Sequence, residues 1–473
     1  MNILFAASEA VPYAASGGLA DVVGSLPKAM NEKGQDCRVV IPLYKAISPE
    51  LRKEMKFITN ITVDVSWRKQ YCGIFTAVKD NITYYFIDNE YYYMRDGLYG
   101  FYDDCERFVF FNRAVLEMIR YIDFTPDIIN CNDWQTALIP VYYNVYYKYQ
   151  QGYDGIKTVF TIHNIEYQGK YGKEVLSELM GIPAYNANLL DYDGYVNMLK
   201  GAIETADRIV TVSPSYAWEI LDPWYAHGLD RILVTKQYKL MGILNGIDTQ
   251  RYDPETDAGI IEKYSVKDIS GKNYCKLALL NELGLDEGDE PVIGIVTRFV
   301  NHKGIDLIRC VFEEMISMGI KFAVLGSGEK IYEDFFREMA ARYPNRVSVT
   351  IGFVPELSHK IYAGADMFLM PSKSEPCGLA QMIAMRYGTI PIVRETGGLR
   401  DTVRDNGGIN GNGFTFKTIN ALDMIDAVRR ALIDYENKDV WNSLVKRAMN
   451  CDYSWQASAD LYINMYKNLI SEE

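Results

Sequence analysis

Met367-Phe-Leu-Met-Pro-Ser-Lys-Ser-Glu375-Pro-Cys377-Gly378-Leu379-Ala-Gln-Met-Ile-Ala-Met-Arg-Tyr-Gly388-Thr-Ile-Pro-Ile-Val393 reads as a strand, a loop, a helix and a second strand. Met367 to Met370 is a short apolar run of the kind a parallel sheet buries, and Pro371 ends it. A helix is expected from near Gly378, and Gly388 stands where a helix C-terminus favours φ > 0. Ile390 to Val393 is the next buried strand, leading to Thr396-Gly397-Gly398, expected to form a second flexible turn. One acid, Glu375, therefore lies after a strand and before a helix N-terminus. Ligands of open α/β sheets bind outside the carboxyl ends of the strands, and helix N-termini attract phosphate. The N–H groups near Gly378 and Leu379 suit a phosphate or sugar hydroxyls, and Glu375 can accept from hydroxyls. A plain helix cap is the competing reading of Glu375, and spacing alone does not separate the two.

The same grammar recurs along the chain. Asn2 to Ala7 is a buried strand, followed by Ser16-Gly17-Gly18-Leu19-Ala20-Asp21 and a helix from Leu19 to Lys33 closed by Gly34. Adjacent glycines before a helix let the backbone approach a ligand. Gly397-Gly398-Leu399-Arg400-Asp401 repeats Gly17-Gly18-Leu19-Ala20-Asp21 in the other half. Cys37 to Pro42 is a second strand, residues 57–88 read as hairpins inserted into the first domain, and Arg107 to Tyr121 as an amphipathic helix. Asn132-Asp133-Trp134 ends a strand; an Asp and a Trp there suit a sugar acceptor, or a helix cap with a core Trp. His163 ends the strand that begins at Thr158, where a hydrogen-bonded core histidine is the ordinary occupant. Asn245-Gly246 is a turn pair, and residues 253–275 read as a polar loop with short helices. Arg298 and Lys303 flank a loop after the strand Pro291 to Thr297, where two cations can clamp phosphate oxygens or form a generic basic loop. Gly326-Ser-Gly328 lacks the third glycine of a dinucleotide fingerprint, since Ile331 stands there, which excludes a nicotinamide dehydrogenase.

Composition bounds the function. At 473 residues the chain should hold two or more domains with sizeable cores. A formal charge of −13 argues against nucleic acid or an anionic membrane as main partner. The eight cysteines are scattered without a C-x-x-C, which suggests reduced thiols in the cytoplasm. The four histidines do not pair at metal-ligand spacing, and Asp191-Tyr-Asp193 is the sole Asp-x-Asp, so no metal or other cofactor is expected. The chain starts as a strand without a basic leader, and no apolar run is long enough to span a bilayer. The chain has thirty-six tyrosines, with dense clusters at Tyr91-Tyr92-Tyr93 and Tyr142-Tyr143…Tyr146-Tyr147, where rings stack on sugars or pack in the interior.

Ser374-Glu375-Pro376-Cys377-Gly378-Leu379, with Arg394-Glu-Thr-Gly397-Gly398-Leu399-Arg-Asp401 downstream, resembles bacterial glycogen synthases and plant starch synthases over nearly the whole chain. The resemblance implies the GT-B fold: an α/β chain of two doubly wound Rossmann-like domains facing a cleft. The first domain would span 1–247, with a C-terminal helix 455–473 packing back on it, and bring the acceptor. The second would span 248–454 and bind the nucleotide sugar. The implied reaction is transfer of glucose from ADP-glucose to the non-reducing end of an α-1,4-glucan with retained configuration.

The family motifs carry over residue by residue. His163 matches the donor-site histidine, expected to touch the transferred glucose through its ring and carbonyl, and Asn245 would hold a glucose hydroxyl. Arg298 and Lys303 would neutralise the diphosphate leaving group, with Glu375 orienting the glucosyl unit. Gly17, Gly18, Asp21, Asp133, Cys377, Gly378 and Leu379 fall in the family's substrate loops, and Phe353 aligns with its adenine-stacking aromatic. Two departures stand out. Ala15-Ser16 replaces the family's Lys-Thr, so a phosphate-side lysine is missing, and Asn132 replaces a histidine before Asp133-Trp134. A related transferase using UDP-glucose is one alternative, disfavoured because Ile383 stands where such enzymes carry a second Glu. A glucan-binding protein that has lost activity is another; the intact Arg298, Lys303, His163 and Glu375 count against it.

Overall fold

In the computed structural model, which describes residues 1–408 and 410–471, Met367–Met370 and Ile390–Arg394 are parallel neighbours, with Leu369 opposite Ile392. Both strands are buried along their length, as apolar runs covered on two faces should be. They belong to a six-stranded parallel sheet ordered Val347–Ile351, Lys321–Gly326, Val292–Val296, Met367–Met370, Ile390–Arg394, Phe414–Phe416. Numbered along the chain, the order is 3-2-1-4-5-6, the doubly wound arrangement. Its direction of winding reverses between Val292–Val296 and Met367–Met370. Gly294 lies there because a Cβ would stand 2.7 Å from Ile361 of the covering helix Pro355–Gly364 and 3.2 Å from Ala365 just after it.

A second sheet, of nine strands, is built from the N-terminal half in the order Leu240–Gly242, Arg208–Thr211, Lys157–Ile162, Ile128–Asn132, Asn2–Ala6, Asp36–Pro42, Ile82–Asp88, Arg68–Lys79, Lys56–Val65. The first seven are parallel and the winding reverses between Asn2–Ala6 and Ile128–Asn132. Residues 56–88 do form antiparallel hairpins, yet they are not a separate insertion. Ile82–Asp88 is largely buried and joins Asp36–Pro42 in parallel, so the hairpins continue the sheet to its edge.

The chain divides into two compact units, residues 1–246 with the helix Trp455–Ser471, and residues 247–454. That helix buries Trp455, Ala459, Tyr462, Tyr466 and Leu469, and Tyr466 Oη donates to Asn130 Oδ1 at 2.9 Å inside the nine-stranded sheet. Lys33 pairs with its Asp460 at 2.7 Å. Such an apolar stripe is the part of a helix that tertiary packing stabilises.

Some expectations need correction. The helix after residue 103 is Asp104–Met118 and is not amphipathic, because only Glu106, Arg113 and Glu117 escape full burial. Arg107 is wholly buried inside it, donating to Tyr92 O at 2.8 Å and to Asp104 Oδ1 at 2.5 Å. Residues 271–283 form one helix instead of the end of a loop. The tyrosine clusters are mainly interior, with Tyr92, Tyr93, Tyr142, Tyr143 and Tyr147 buried. No helix of the described residues is long and apolar enough to cross a membrane.

Candidate active site

Both points of winding reversal carry the chemistry-bearing loops. In the 247–454 unit the loop after Val292–Val296 holds Arg298 and Lys303, and the loop after Met367–Met370 holds Glu375. Adjacent strands that send their connections to opposite faces leave a crevice at their carboxyl ends. Lys303 closes a turn at Gly304, whose φ is +73° and whose Cβ would stand 2.0 Å from Pro371 O. The two loops therefore touch, and Lys303 Nζ lies 2.6 Å from Glu375 Oε2. Glu375 does not cap the helix, which starts at Ala380 without a side-chain cap. Its carboxylate is 6% exposed as a residue and accepts a second bond from Ser372 Oγ at 3.0 Å. Arg298 is exposed, and its guanidinium makes no ion pair among the described residues.

Three groups that sequence reasoning passed over hold this loop. Arg394, buried at the end of its strand, donates from Nε to Ser372 O at 2.8 Å and from Nη2 to Lys373 O at 2.6 Å. Lys373 pairs with Asp306 at 2.8 Å and donates its amide to His302 O, tying loop to loop. Gln381 donates to the Cys377 and Gly378 carbonyls at 3.2 and 2.9 Å. An arginine within an apolar strand was the signal available for the first. Cys377 is buried, Gly378 has φ +72°, and Leu379 follows at the helix start. Phe353 stands apart, after Val347–Ile351 at the sheet's edge, and is 91% exposed.

The turn at Gly397-Gly398 is not flexible. It opens the short helix Gly397–Thr402, and Gly398 N donates to Glu375 O at 3.1 Å. A Cβ on Gly397 would stand 2.0 Å from Glu375 O, and one on Gly398 2.1 Å from Cys377 O. The first pair differs. Gly18 has open space where a Cβ would go, and Gly17, Gly18 and Ala15 are exposed. One Gly-Gly pair packs under the Glu375 loop; the other leaves room above the helix Gly18–Glu32.

In the N-terminal unit the winding reversal lies beside Gly17-Gly18 and Asp133. Glu9, unnoticed in the sequence although it follows the first strand directly, is buried and accepts the Ser16 amide at 2.5 Å. Burial raises its carboxyl above the ordinary range, and the nearby Asp21 adds to this. Asp133 has φ +57° and ψ −177°, a conformation L-residues rarely adopt. Its Oδ1 accepts the His163 amide at 2.8 Å instead of capping Trp134–Thr136. Burial pushes the Asp133 carboxyl up to about 7. Trp134 packs edge-on against Phe108, with centroids 5.1 Å apart.

Asn132 orients the histidine. Its Nδ2 donates to Ala6 O at 3.0 Å, which fixes Oδ1 as the atom 2.9 Å from His163 Nε2. His163 Nε2 therefore carries the proton, and Nδ1 is left as an acceptor. Burial holds the imidazole down to about 3, so it is neutral at physiological pH. Asn245 follows Leu240–Gly242 and is buried with Oδ1 lacking a partner among the described residues. Asp191 pairs with Lys173 at 2.7 Å.

Two doubly wound units, each with polar loops at its reversal point, and a lysine–carboxylate pair in the second, fit a glycosyltransferase of the GT-B class, and the similarities to known proteins show that class. Residues 2–235 match the family model for the starch synthase catalytic domain, and residues 282–447 that for glycosyl transferases group 1. The chain is 49% identical to the glycogen synthase of Geobacillus thermodenitrificans, over 100% of this chain and 99% of that one. It is also 49% identical to that of Clostridium botulinum strain Alaska E43, over 99% of both. Among solved structures, the catalytic domain of Arabidopsis thaliana starch synthase IV bound to ADP and acarbose superposes with a TM-score of 0.90 at 34% identity, covering 100% of this chain and 99% of that one. Sucrose-phosphate synthase from Thermosynechococcus elongatus shares the fold at a TM-score of 0.62 and 17% identity, covering both chains fully. The chain belongs to the glycogen synthase family.

Proposed function

We propose that this chain elongates an α-1,4-glucan by transferring glucose from ADP-glucose to the 4-hydroxyl of the non-reducing end, retaining configuration. The observation that carries the reading is the Lys303–Glu375 pair at the reversal point, 2.6 Å apart and largely shielded from water. A cation for the leaving diphosphate stands beside a carboxylate for the sugar, on loops anchored from below. Arg298 adds a second cation, without an ion-pair partner among the described residues. Phe353 offers a ring face to the adenine, and the N–H groups near Gly378 and Leu379 face the donor. His163 Nδ1 and Asn245 Oδ1 each accept from glucose hydroxyls, and Gly17-Gly18 leaves room for the donor near Asp21. Asp133, beside Glu9, accepts from the glucan end.

In the reaction the bond from glucose C1 to the phosphate oxygen breaks and its electron pair leaves with ADP. A bond from the acceptor O4 to C1 forms on the same face, and the acceptor proton passes to the departing oxygen. The diphosphate needs positive charge where its own develops, which Lys303 and Arg298 supply in a site with few water dipoles to reorganise. All eight cysteines are free, in keeping with action in the cytoplasm. Incubation with maltotetraose and ADP-glucose should yield maltopentaose and ADP, with an α-linked new residue by NMR. A β-linkage, or ADP release without chain growth, would overturn the reading.

A further inference from the structure

Of the Tyr91-Tyr92-Tyr93 run, the last two rings enter the core and the first does not. Tyr91 is 63% exposed and Tyr102, at the end of the next loop, 91% exposed. The neighbouring Tyr102 hydroxyl raises the Tyr91 phenol above its ordinary range. The scaffold beneath them is braced by hydrogen bonds. Arg95 donates to Tyr91 O from Nε at 3.0 Å and from Nη2 at 2.8 Å, and grips Asp103 with two bonds of 2.6 and 2.7 Å. Tyr92 supports the Tyr91 ring edge-on, with centroids 5.2 Å apart, and anchors its own hydroxyl on Glu106 at 2.6 Å. Two large rings are thus held in water on a braced loop, with the ordering entropy already spent within the fold.

The same segment abuts the acceptor side of the N-terminal unit. Tyr99 Oη lies 2.7 Å from Ser8 Oγ, next to Glu9. Phe108 packs on Trp134, and Asn112 donates to Gln135 O at 2.7 Å. The charge around the rings selects the occupant. Arg95 lies 5.5 Å from the Tyr91 ring centroid but is neutralised by Asp103, and Glu90 and Glu106 lie on the same segment, so this segment disfavours phosphates and suits a neutral polyhydroxylated chain.

We propose that Tyr91 and Tyr102 form an outer platform for the α-glucan acceptor, stacking on glucose units beyond those that reach Asp133. The inference rests on the glucan elongation proposed above. A polymer whose end is held at Asp133 and whose body lies on the rings is bound at two linked points, which favours long acceptors over short ones. The test is the double variant Tyr91→Ala, Tyr102→Ala, assayed with glycogen and with maltotetraose at saturating ADP-glucose, alongside Tyr102→Trp. The KM for glycogen should rise by about 10-fold, while KM for maltotetraose and kcat stay within about twofold of wild type. Tyr102→Trp, which keeps a ring face, should retain the wild-type KM for glycogen. Glycogen KM unchanged in the double variant, or an equal rise for maltotetraose, overturns the platform. Loss of kcat on both acceptors, the sign of a damaged acceptor site, overturns it too. If the wild type elongates neither acceptor, the proposed function itself fails, so the two failures are distinct.

Discussion

Glu375 spends its carboxylate on Lys303, and this pairing makes the two residues interdependent. The cation proposed for the diphosphate is paired with this carboxylate at 2.6 Å. Glu375→Gln keeps the shape and removes the charge. It should lower kcat by about 10³-fold, as loss of a preorganised electrostatic group does. It should also tighten binding of ADP alone by about 10-fold, because Lys303 is released. Calorimetric titration with ADP reads the second effect; unchanged or weaker binding would show that Glu375 does not hold the Lys303 charge. Ala15 gives a complementary gain. It is exposed beside open glycines, so Ala15→Lys should lower the KM for ADP-glucose by about threefold with kcat unchanged, and an unchanged KM would mean that the donor phosphates lie elsewhere.

At the scale of elements, the repeated Gly-Gly-Leu motif shows what the sequence can and cannot say. Its two copies read alike, yet Gly18 faces open space and Gly397, at φ +43°, lies under the Glu375 carbonyl. Gly18→Ala should leave the melting temperature within about 2 °C, since nothing crowds the new methyl. Gly397→Ala should lower it by several degrees, at a loss of about 2–4 kcal/mol, through clash and strain. Differential scanning calorimetry of the pair separates them, and equal shifts would refute the contrast. Strands and strand-end loops were legible because buried parallel strands are continuous apolar runs, as at Met367–Met370. The partner of Glu375 was not legible, because Lys303 is distant in sequence and capping is equally compatible with the local spacing. Arg394, Ser372 and Glu9 were missed for the same reason: a positioning residue acts through contacts that only the folded chain creates. Asn132, noted only as a departure, proves to orient the His163 ring at 2.9 Å.

For the whole molecule, two buried groups of the N-terminal unit shape stability with pH in opposite senses. Asp133 titrates at about 7 in the folded chain against an ordinary 3.8. Between those values the folded state binds more protons than the unfolded, so stability falls as pH rises through the window. The slope is at most about 1.4 kcal/mol per pH unit for this group. His163, held down to about 3 against an ordinary 6.5, does the reverse, and stability is lost as pH falls from 6.5. Asp133→Asn should therefore gain on wild type as pH is raised from 5 to 8, read as a widening difference in urea midpoints. A difference independent of pH would contradict the raised carboxyl.

The measurement that tests the central claim most directly is incorporation of radiolabelled glucose into glycogen, with ADP-glucose and UDP-glucose run in parallel for wild type and Glu375→Gln. The account predicts transfer by the wild type from ADP-glucose far above that from UDP-glucose, and a loss of about 10³-fold in the variant. Equal use of both donors, or a variant that transfers at the wild-type rate, would contradict it.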